Sequence, residues 1–493
     1  MSELLQPGVW IPWLLAMVFG VFVGATPGLT ATMAVALIVP VSYYMDPNAA
    51  LAMIIGVSFT AIFAGDIPAT WLRIPGTPAS AAATLDGYAM ARKGRGDYAL
   101  TLNLFCSAIG GVAGVLLLMV LAPQLARFAL RFSNFEYFWL AALGLSLSAM
   151  VSGGAVGKGL LAAAAGVLLA TVGMDGISGT PRYTFGSSEL LDGIGFIPAM
   201  IGLFGLSEVL RTAWSGAGAE ALPEARAGAL PVGEALRGVW RRRWTVARSS
   251  ALGTVVGALP GAGADIAAWG AYGLERRISK RGKEFGQGCE EGVVAPTSAN
   301  NAAVAGAWIP ALVFGIPGDA VTAIVLGAFL VYDIRPGPEI FEHSGERVRN
   351  LFVIALATQV LLLAAGYAGL RAFRLILRLP RAGVMAGVVV FSIVGSYALR
   401  NSVFDVGVAV IFGFAGFLFD RQKVPLAPLI LGMILGPMAE KKLRAGLISA
   451  KGDPTAMFQQ PVCLVLMLML AALWCGPLLA RWKGWTRLRK NVP

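Results

Sequence analysis

Apolar runs separated by short polar and basic connectors occupy nearly the whole chain. In the first half they lie near 10–23, 29–44, 49–72, 100–122, 135–151, 159–172 and 196–210. In the second they lie near 244–259, 293–313, 320–332, 351–370, 384–399, 406–419, 427–435 and 462–480. A helix needs roughly 20 apolar residues to cross about 30 Å of hydrocarbon, so the pattern predicts an all-α polytopic membrane protein with around ten to twelve crossings. The short alternating strands of an outer-membrane barrel are missing from the pattern.

The interruptions come in pairs. Gly24-Ala25-Thr26-Pro27-Gly28 returns as Gly257-Ala258-Leu259-Pro260-Gly261, and Ile74-Pro75-Gly76 returns as Ile316-Pro317-Gly318. Proline lacks a backbone donor and clashes with the preceding turn, while glycine tolerates positive φ, so each Pro-Gly is expected to break a helix. In lipid a broken helix is tolerated only where protein buries the loose backbone or water solvates it. Corresponding breaks in two halves point to a transporter site. The organisation expected is a first membrane repeat at 1–213, an inter-repeat linker at 214–243, and a second repeat at 244–493 ending in a cytoplasmic tail. Runs 10–23 and 29–44 read as pieces of one helix broken at Pro27-Gly28. The two homologous halves are expected to be inverted repeats with broken or re-entrant helices.

Hydrophobic residues make up 57% and charged residues 13% of the chain, where soluble domains carry about 25% charged residues. The formal charge of +12 is spread over clusters between apolar runs, such as Arg241–Arg243, Arg276–Lys283, Lys441–Arg444 and 481–490. That is the positive-inside pattern of cytoplasmic loops, so no nucleic-acid partner is expected and the lipid bilayer is. Cys106, Cys289, Cys463 and Cys475 lack metal-ligand spacing, His343 is the sole histidine, and no GxxxxGK[ST] loop occurs. No cofactor and no enzymatic activity are expected, and transport must draw on an ion gradient or a partner. No Lys or Arg precedes the first apolar run, so that run is expected to remain as a span rather than be cleaved as a signal peptide.

Around the first break, Pro68, Pro75 and Pro78 fall within eleven residues and cannot share one regular helix. A helix that ends and restarts exposes carbonyls on one side and N–H groups on the other. Carbonyls with the Thr77 and Ser80 hydroxyls suit a small cation; N–H groups suit a carboxylate. Asn300 and Asn301, adjacent in an apolar stretch, can ligate a cation or substrate oxygens, or else pair between helices. Arg73 can pair with a substrate carboxylate or snorkel to the interface. Substrate is expected at Pro27, Gly28, Arg73, Gly76, Thr77, Ser80, Pro260, Gly261, Asn300, Asn301 and Gly318. A coupling cation, sodium or proton, is expected near Asp66, Asp265, Ser298 and Asn300, although either aspartate can instead cap a helix.

The chain resembles the large membrane subunit of tripartite tricarboxylate transporters, the TctA family. The resemblance rests on Pro27-Gly28-Leu29, the block Ile74–Ser80, Asp86–Gly94, Arg182–Gly186, Leu203–Glu208, Pro260–Asp265, Ser298–Ala302 and Gly315–Gly318, in family order from about residue 20 to 440. It implies a multi-pass permease of the bacterial inner membrane working with a TctB-like small membrane subunit and a TctC-like periplasmic solute-binding protein. Its substrate would be citrate or another organic carboxylate, driven by a sodium or proton gradient. Asp66, Pro68, Arg73 and Thr297 depart from the family pattern, which implies a related carboxylate rather than citrate. Two other readings are a stand-alone carboxylate symporter, separated by uptake without a binding protein, and a non-transporting membrane scaffold, which would not need polar breaks in both halves.

Overall fold

The computed structural model describes residues 6–26, 29–151, 156–215, 230–332, 334–377 and 381–490. In chain order the first half contains α1 (Pro7–Ala25), α2 (Ala31–Ser42), α3 (Pro47–Ala64), α4 (Asp66–Leu72), α5 (Ala81–Arg92), α6 (Gly96–Ala129), α7 (Asn134–Val151), α8 (Val156–Leu169), α9 (Phe196–Met200) and α10 (Ser207–Ser215). The second contains α11 (Val232–Arg241), α12 (Arg243–Gly257), α13 (Gly263–Ile278), α14 (Glu290–Phe314), α15 (Ala320–Val331), α16 (Ile340–His343), α17 (Gly345–Leu377), α18 (Arg381–Arg400), α19 (Val403–Arg421), α20 (Leu426–Ser449) and α21 (Pro461–Lys490). Among the described residues the strands are one two-residue antiparallel pair, β1 (Gly173–Met174) and β2 (Pro181–Arg182), between α8 and α9. Seven helical stretches there are long and apolar enough to cross a membrane: α1, α3 with α4, α6, α9 to α10 through a π-turn, α17, α18 and α19. The protein is an all-α polytopic membrane protein.

Contacts along α17 fix the direction of the first helices. Trp13 Nε1 donates to Thr358 Oγ1 at 3.2 Å, and a Cβ on Gly369 would lie 2.3 Å from Val21, so α1 and α17 run parallel. Asn350, near the start of α17, donates to Asn48 at the start of α3 (3.2 Å). The chain has therefore come back to its starting face before α3 begins, and α2 is the returning arm. The two runs read as pieces of one helix broken at Pro27-Gly28 are thus the two arms of a re-entrant hairpin, α1 and α2. The connector explains it, because Thr26 and Thr30 are both extended, and Thr30 Oγ1 caps the new helix by accepting from Met33 N at 3.1 Å.

The α3–α4 unit crosses the full thickness. Its far end brings Trp71 against Gly96, the first residue of α6, and α6 runs opposite to α17, with Gly111 at Gln359 and Leu104 at Gly366. After the left-handed residue Arg73 (φ 59°, ψ 22°) the chain folds back until Gly76 N donates to Gly65 O at 3.0 Å. It then turns again into α5, making a second hairpin that enters from the opposite face.

The second half makes the same moves. The arms α12 and α13 are tied at their base by Arg248, which donates twice to Glu275 at 2.9 Å. α14 ends at the left-handed Gly315 (φ 67°, ψ 22°), and the chain dips to Gly318 before α15 begins. Gly261 N donates to Gly318 O at 2.7 Å, joining the two tips. Even the close crossings recur. A Cβ on Gly24 would lie 2.2 Å from the Ala61 carbonyl oxygen, and one on Gly257 would lie 2.2 Å from that of Ala303. One on Gly76 would meet Gly24 O at 2.3 Å, and one on Gly318 would meet Gly257 O at 2.6 Å. Only a residue without a side chain lets the backbones approach so closely.

Around the four hairpin arms stand α7 and α8 against α20, and α19 against the π-turn Ile201–Leu206. Basic connectors gather where α6 begins: Arg95 pairs with Glu234 (2.9 Å) and Glu290 (3.3 Å), Arg242 with Glu290 (2.6 Å), and Lys93 donates to Gln287 O at 2.6 Å. At the opposite face, Arg182 pairs with Glu440 (2.7 Å) and Arg444 with Asp175 (2.8 Å), holding the small β-hairpin to the end of α20.

Candidate functional site

Each hairpin returns through a helix that begins at its tip. α2 and α5 begin beside one another, because Gly76 touches Gly24, and α13 and α15 begin beside one another, because Gly261 bonds Gly318. The pairs themselves adjoin: the turn Pro78–Ser80 packs on α13, and α2 packs on α15. Four helix N-termini, with their positive dipole ends, thus converge at mid-bundle, an arrangement that favours an anion, although Thr30 and Asp319 cap first-turn N–H groups of α2 and α15. α1 and α12 bring carbonyls to these tips, Gly24 O beside Gly76 and Gly257 O beside Gly318.

The starts of the two returning helices carry polar side-chain pairs at corresponding positions, and only the second pair caps the backbone. Thr77 Oγ1 and Ser80 Oγ share a hydrogen bond at 2.9 Å. At the corresponding place Asp319 Oδ1 accepts from Thr322 N and Thr322 Oγ1 (both 2.8 Å), and Asp319 N donates to Thr322 Oγ1 at 2.9 Å. Asp319 therefore has a capping task of the kind aspartate performs well.

Beside the first pair lies a buried polar cluster. Asp66 is 0% exposed, and neither carboxylate oxygen hydrogen-bonds to another protein group. Asn103, Ser80 and Asn300 face it. Both amide atoms of Asn300, the Asn301 carbonyl oxygen and the Ser298 hydroxyl are likewise unmatched by protein. Asn301 Nδ2 donates to Ser107 O at 3.3 Å, tying α14 to α6, and Ser107 Oγ donates to Asn103 Oδ1 at 3.2 Å. Polar groups this deep are normally satisfied, and a bare buried carboxylate costs several kcal/mol. Carboxylate, amide carbonyl and hydroxyl oxygens are hard donors, fit for a proton or an alkali cation.

The structure brings Asp66, Gly76, Thr77, Ser80, Ser298, Asn300 and Asn301 into one neighbourhood, with Pro260, Gly261 and Gly318 at the second pair of tips. Pro27 and Gly28 lie outside the described residues. Arg73 stands apart: it is exposed at the outer end of α4, its guanidinium 5.6 Å from the Tyr88 ring centre. Asp265 is exposed and sits with Asp319 rather than with Asp66, Ser298 and Asn300.

Three residues were missed in the sequence. Asn103 was signalled only as a lone amide in an apolar run, and Asp319 only as an acid following Pro-Gly. Asp86 opened a block shared with the family, but nothing near it in the chain signalled its partners. Its buried carboxylate accepts from Gly286 N (2.9 Å), Gly288 N (2.8 Å), Cys289 N (2.7 Å) and Tyr272 Oη (2.9 Å), clasping the second hairpin of the first half to the α13–α14 connector.

A model of the tripartite tricarboxylate transporter TctA family matches residues 11–431. An uncharacterized 52.8 kDa protein in the TAR-I ttuC' 3'region of Agrobacterium vitis is 35% identical over 456 residues, 91% of this chain and 89% of that protein. Another, in the TAR-II ttuC' 3'region of the same organism, is 34% identical over 215 residues, 44% of this chain and 89% of that protein. No solved structure matches.

Proposed function

Since this chain belongs to the tripartite tricarboxylate transporter TctA family, we propose that it is the large permease subunit of a secondary transporter importing organic carboxylates across the bacterial inner membrane. It has no enzymatic step of its own. A periplasmic solute-binding protein delivers the carboxylate, a small membrane subunit completes the assembly, and a sodium or proton gradient drives uptake.

The observation that carries this reading is the convergence of four hairpin tips beside a buried, protein-unpaired carboxylate. Anionic substrate binds at the helix starts of α2, α5, α13 and α15, near Thr77, Ser80 and the Gly261–Gly318 junction. The cation binds between Asp66, Ser80, Asn103, Ser298 and Asn300. Its charge offsets the carboxylate of Asp66 and attracts the substrate anion, so that each raises the occupancy of the other.

We also infer two inverted repeats, 1–213 and 244–493 with the linker 214–243 between them. In support, α1 and α3 run with α17, whereas α12 and α14 run with α6, which is opposite to α17. Inverted repeats can exchange conformations, and rocking of the hairpin core against α7, α8, α18, α19 and α20 opens the site to each face in turn.

Radiolabelled citrate and succinate uptake into proteoliposomes, with and without the binding protein and small subunit, tests the proposal. Uptake that requires both partners is expected. Equal uptake without them shows a stand-alone symporter, and silence with every carboxylate from intact protein contradicts the transport reading.

A further inference from the structure

The face opposite the basic connectors carries a cavity of about 1080 Å³, set between the ends of α6 and α14, the starts of α16 and α17, and α20. Its wall includes Arg335, Arg347 and Lys442 as cations, with Glu339 and Glu346 as acids and the sole histidine, His343. Glu346 pairs with Arg349 at 3.6 Å, and Glu339 lies 3.9 Å from His343. Arg347 donates to the Tyr332 carbonyl at 2.7 Å, and Lys442 to Asn134 Oδ1 at 3.2 Å. Both of these partners are neutral, so neither hydrogen bond neutralises the cation, and Glu339 is the acid whose charge acts on Lys442.

The floor includes Phe314 and Gly315. Gly315 starts the segment that dips to Gly318, three residues or at most about 10 Å of chain away. The cavity therefore stands over the second pair of hairpin tips. α6 begins at the face that carries Arg241–Arg243 and Arg276–Lys283 and ends at this cavity, and the positive-inside bias assigns that basic face to the cytoplasm; the Lys441–Arg444 cluster, expected on a cytoplasmic loop, lies instead with the cavity at the opposite face. The cavity then opens on the periplasmic side. A concave surface lined by cations over low-dielectric walls concentrates anions.

We propose that this cavity is a receiving vestibule for di- and tricarboxylates, in which Arg347 and Lys442 hold the anion after the binding protein releases it and before it reaches the tips. This rests on the permease reading given above. It assigns specificity for negative charge to a site separate from the buried cluster at Asp66.

The test uses the full chain with Cys475 replaced by serine and Ser344, on the cavity wall, replaced by cysteine. Labelling by a membrane-impermeant maleimide is followed in right-side-out vesicles with citrate, succinate and, as a neutral control, glycerol. The carboxylates are expected to slow labelling and glycerol to leave it unchanged. In the background of Arg347→Gln with Lys442→Gln the half-protecting concentration should rise about tenfold, as the loss of charge-assisted contacts implies. Each single variant, kept as a check against misfolding of the double, should show a smaller rise. Uptake at saturating carboxylate should change far less than the concentration giving half-maximal uptake. Labelling unaffected by either carboxylate, or protected equally in wild-type and variant cavities, overturns the vestibule. Wild-type uptake in the same vesicles, made with the small membrane subunit and supplied with the binding protein, separates the two claims: uptake without protection removes the vestibule alone, whereas no uptake from intact protein removes the permease reading as well.

Discussion

Asp66 and Asn300 present charge and dipole that the surrounding protein does not answer. A buried charge left unpaired opposes folding, so removing it while keeping the shape should not destabilise the protein. Asp66→Asn is therefore expected to raise or preserve the thermal midpoint measured without coupling ion, while reducing driven uptake about a hundredfold; a lower midpoint with normal uptake would make Asp66 a structural residue. Asn301 behaves differently, because its amide reaches Ser107 O across to α6. Asn301→Ala should cost about 1–2 kcal/mol of stability, seen as a modest fall in thermal midpoint, and should abolish uptake without loss of insertion or abundance. Unchanged uptake would remove Asn301 from the site. Arg73, by contrast, lies over the Tyr88 ring at the outer end of α4, so Arg73→Gln bears on the surface turn rather than on the cluster.

Among elements, the helix crossings carry the sharpest expectations. A Cβ on Gly257 would overlap the Ala303 carbonyl, whereas one on Gly273, in α13, meets nothing within 4 Å. Gly257→Val should lower the thermal midpoint by the equivalent of about 1–3 kcal/mol or more, and Gly273→Ala should leave it unchanged or raise it. Equal effects would contradict the close crossing. The β-hairpin depends on charge. Hydrogen bonds from Ser178 and then Arg444 hold the Asp175 carboxyl well below the usual carboxylate range. Because its folded pKa is depressed, this contribution is fully present above the ordinary aspartate value near about 4 and is lost as pH falls through the folded value. Proteolysis of the 173–195 segment by pepsin should accelerate as pH drops below about 4 in the wild type. In Asp175→Asn, with its pairing already weakened, the rate should depend less on pH.

The sequence displayed the paired breaks, and with them the family and the presence of hairpins, because Pro-Gly is a local signal. It did not display how the broken pieces fold. That α1 and α2 return on each other is visible only in contacts such as Asn48 with Asn350, between residues far apart in the chain. Asp86 was opaque for the same reason, since its partners lie some 200 residues away. Asp66 was legible as an acid near a break and was grouped with Asn300; only packing shows that Asn103 faces it and Asp265 does not.

At the scale of the whole molecule, the same crossing and the same left-handed turn occur once in each half, at positions 233 or 242 residues apart. Two copies running in opposite directions place equivalent hairpins at opposite faces, so exchanging their conformations exchanges which face is open. In this arrangement the buried cluster makes carboxylate movement depend on a cation. The most direct test is radiolabelled carboxylate accumulation in proteoliposomes containing the partner proteins under an inward sodium gradient, an inward proton gradient, or neither. Wild-type protein is compared with Asp66→Asn. One gradient should drive accumulation in the wild type and fail to drive it in the variant. Accumulation driven equally well in both would show that Asp66 does not couple the ion to the carboxylate.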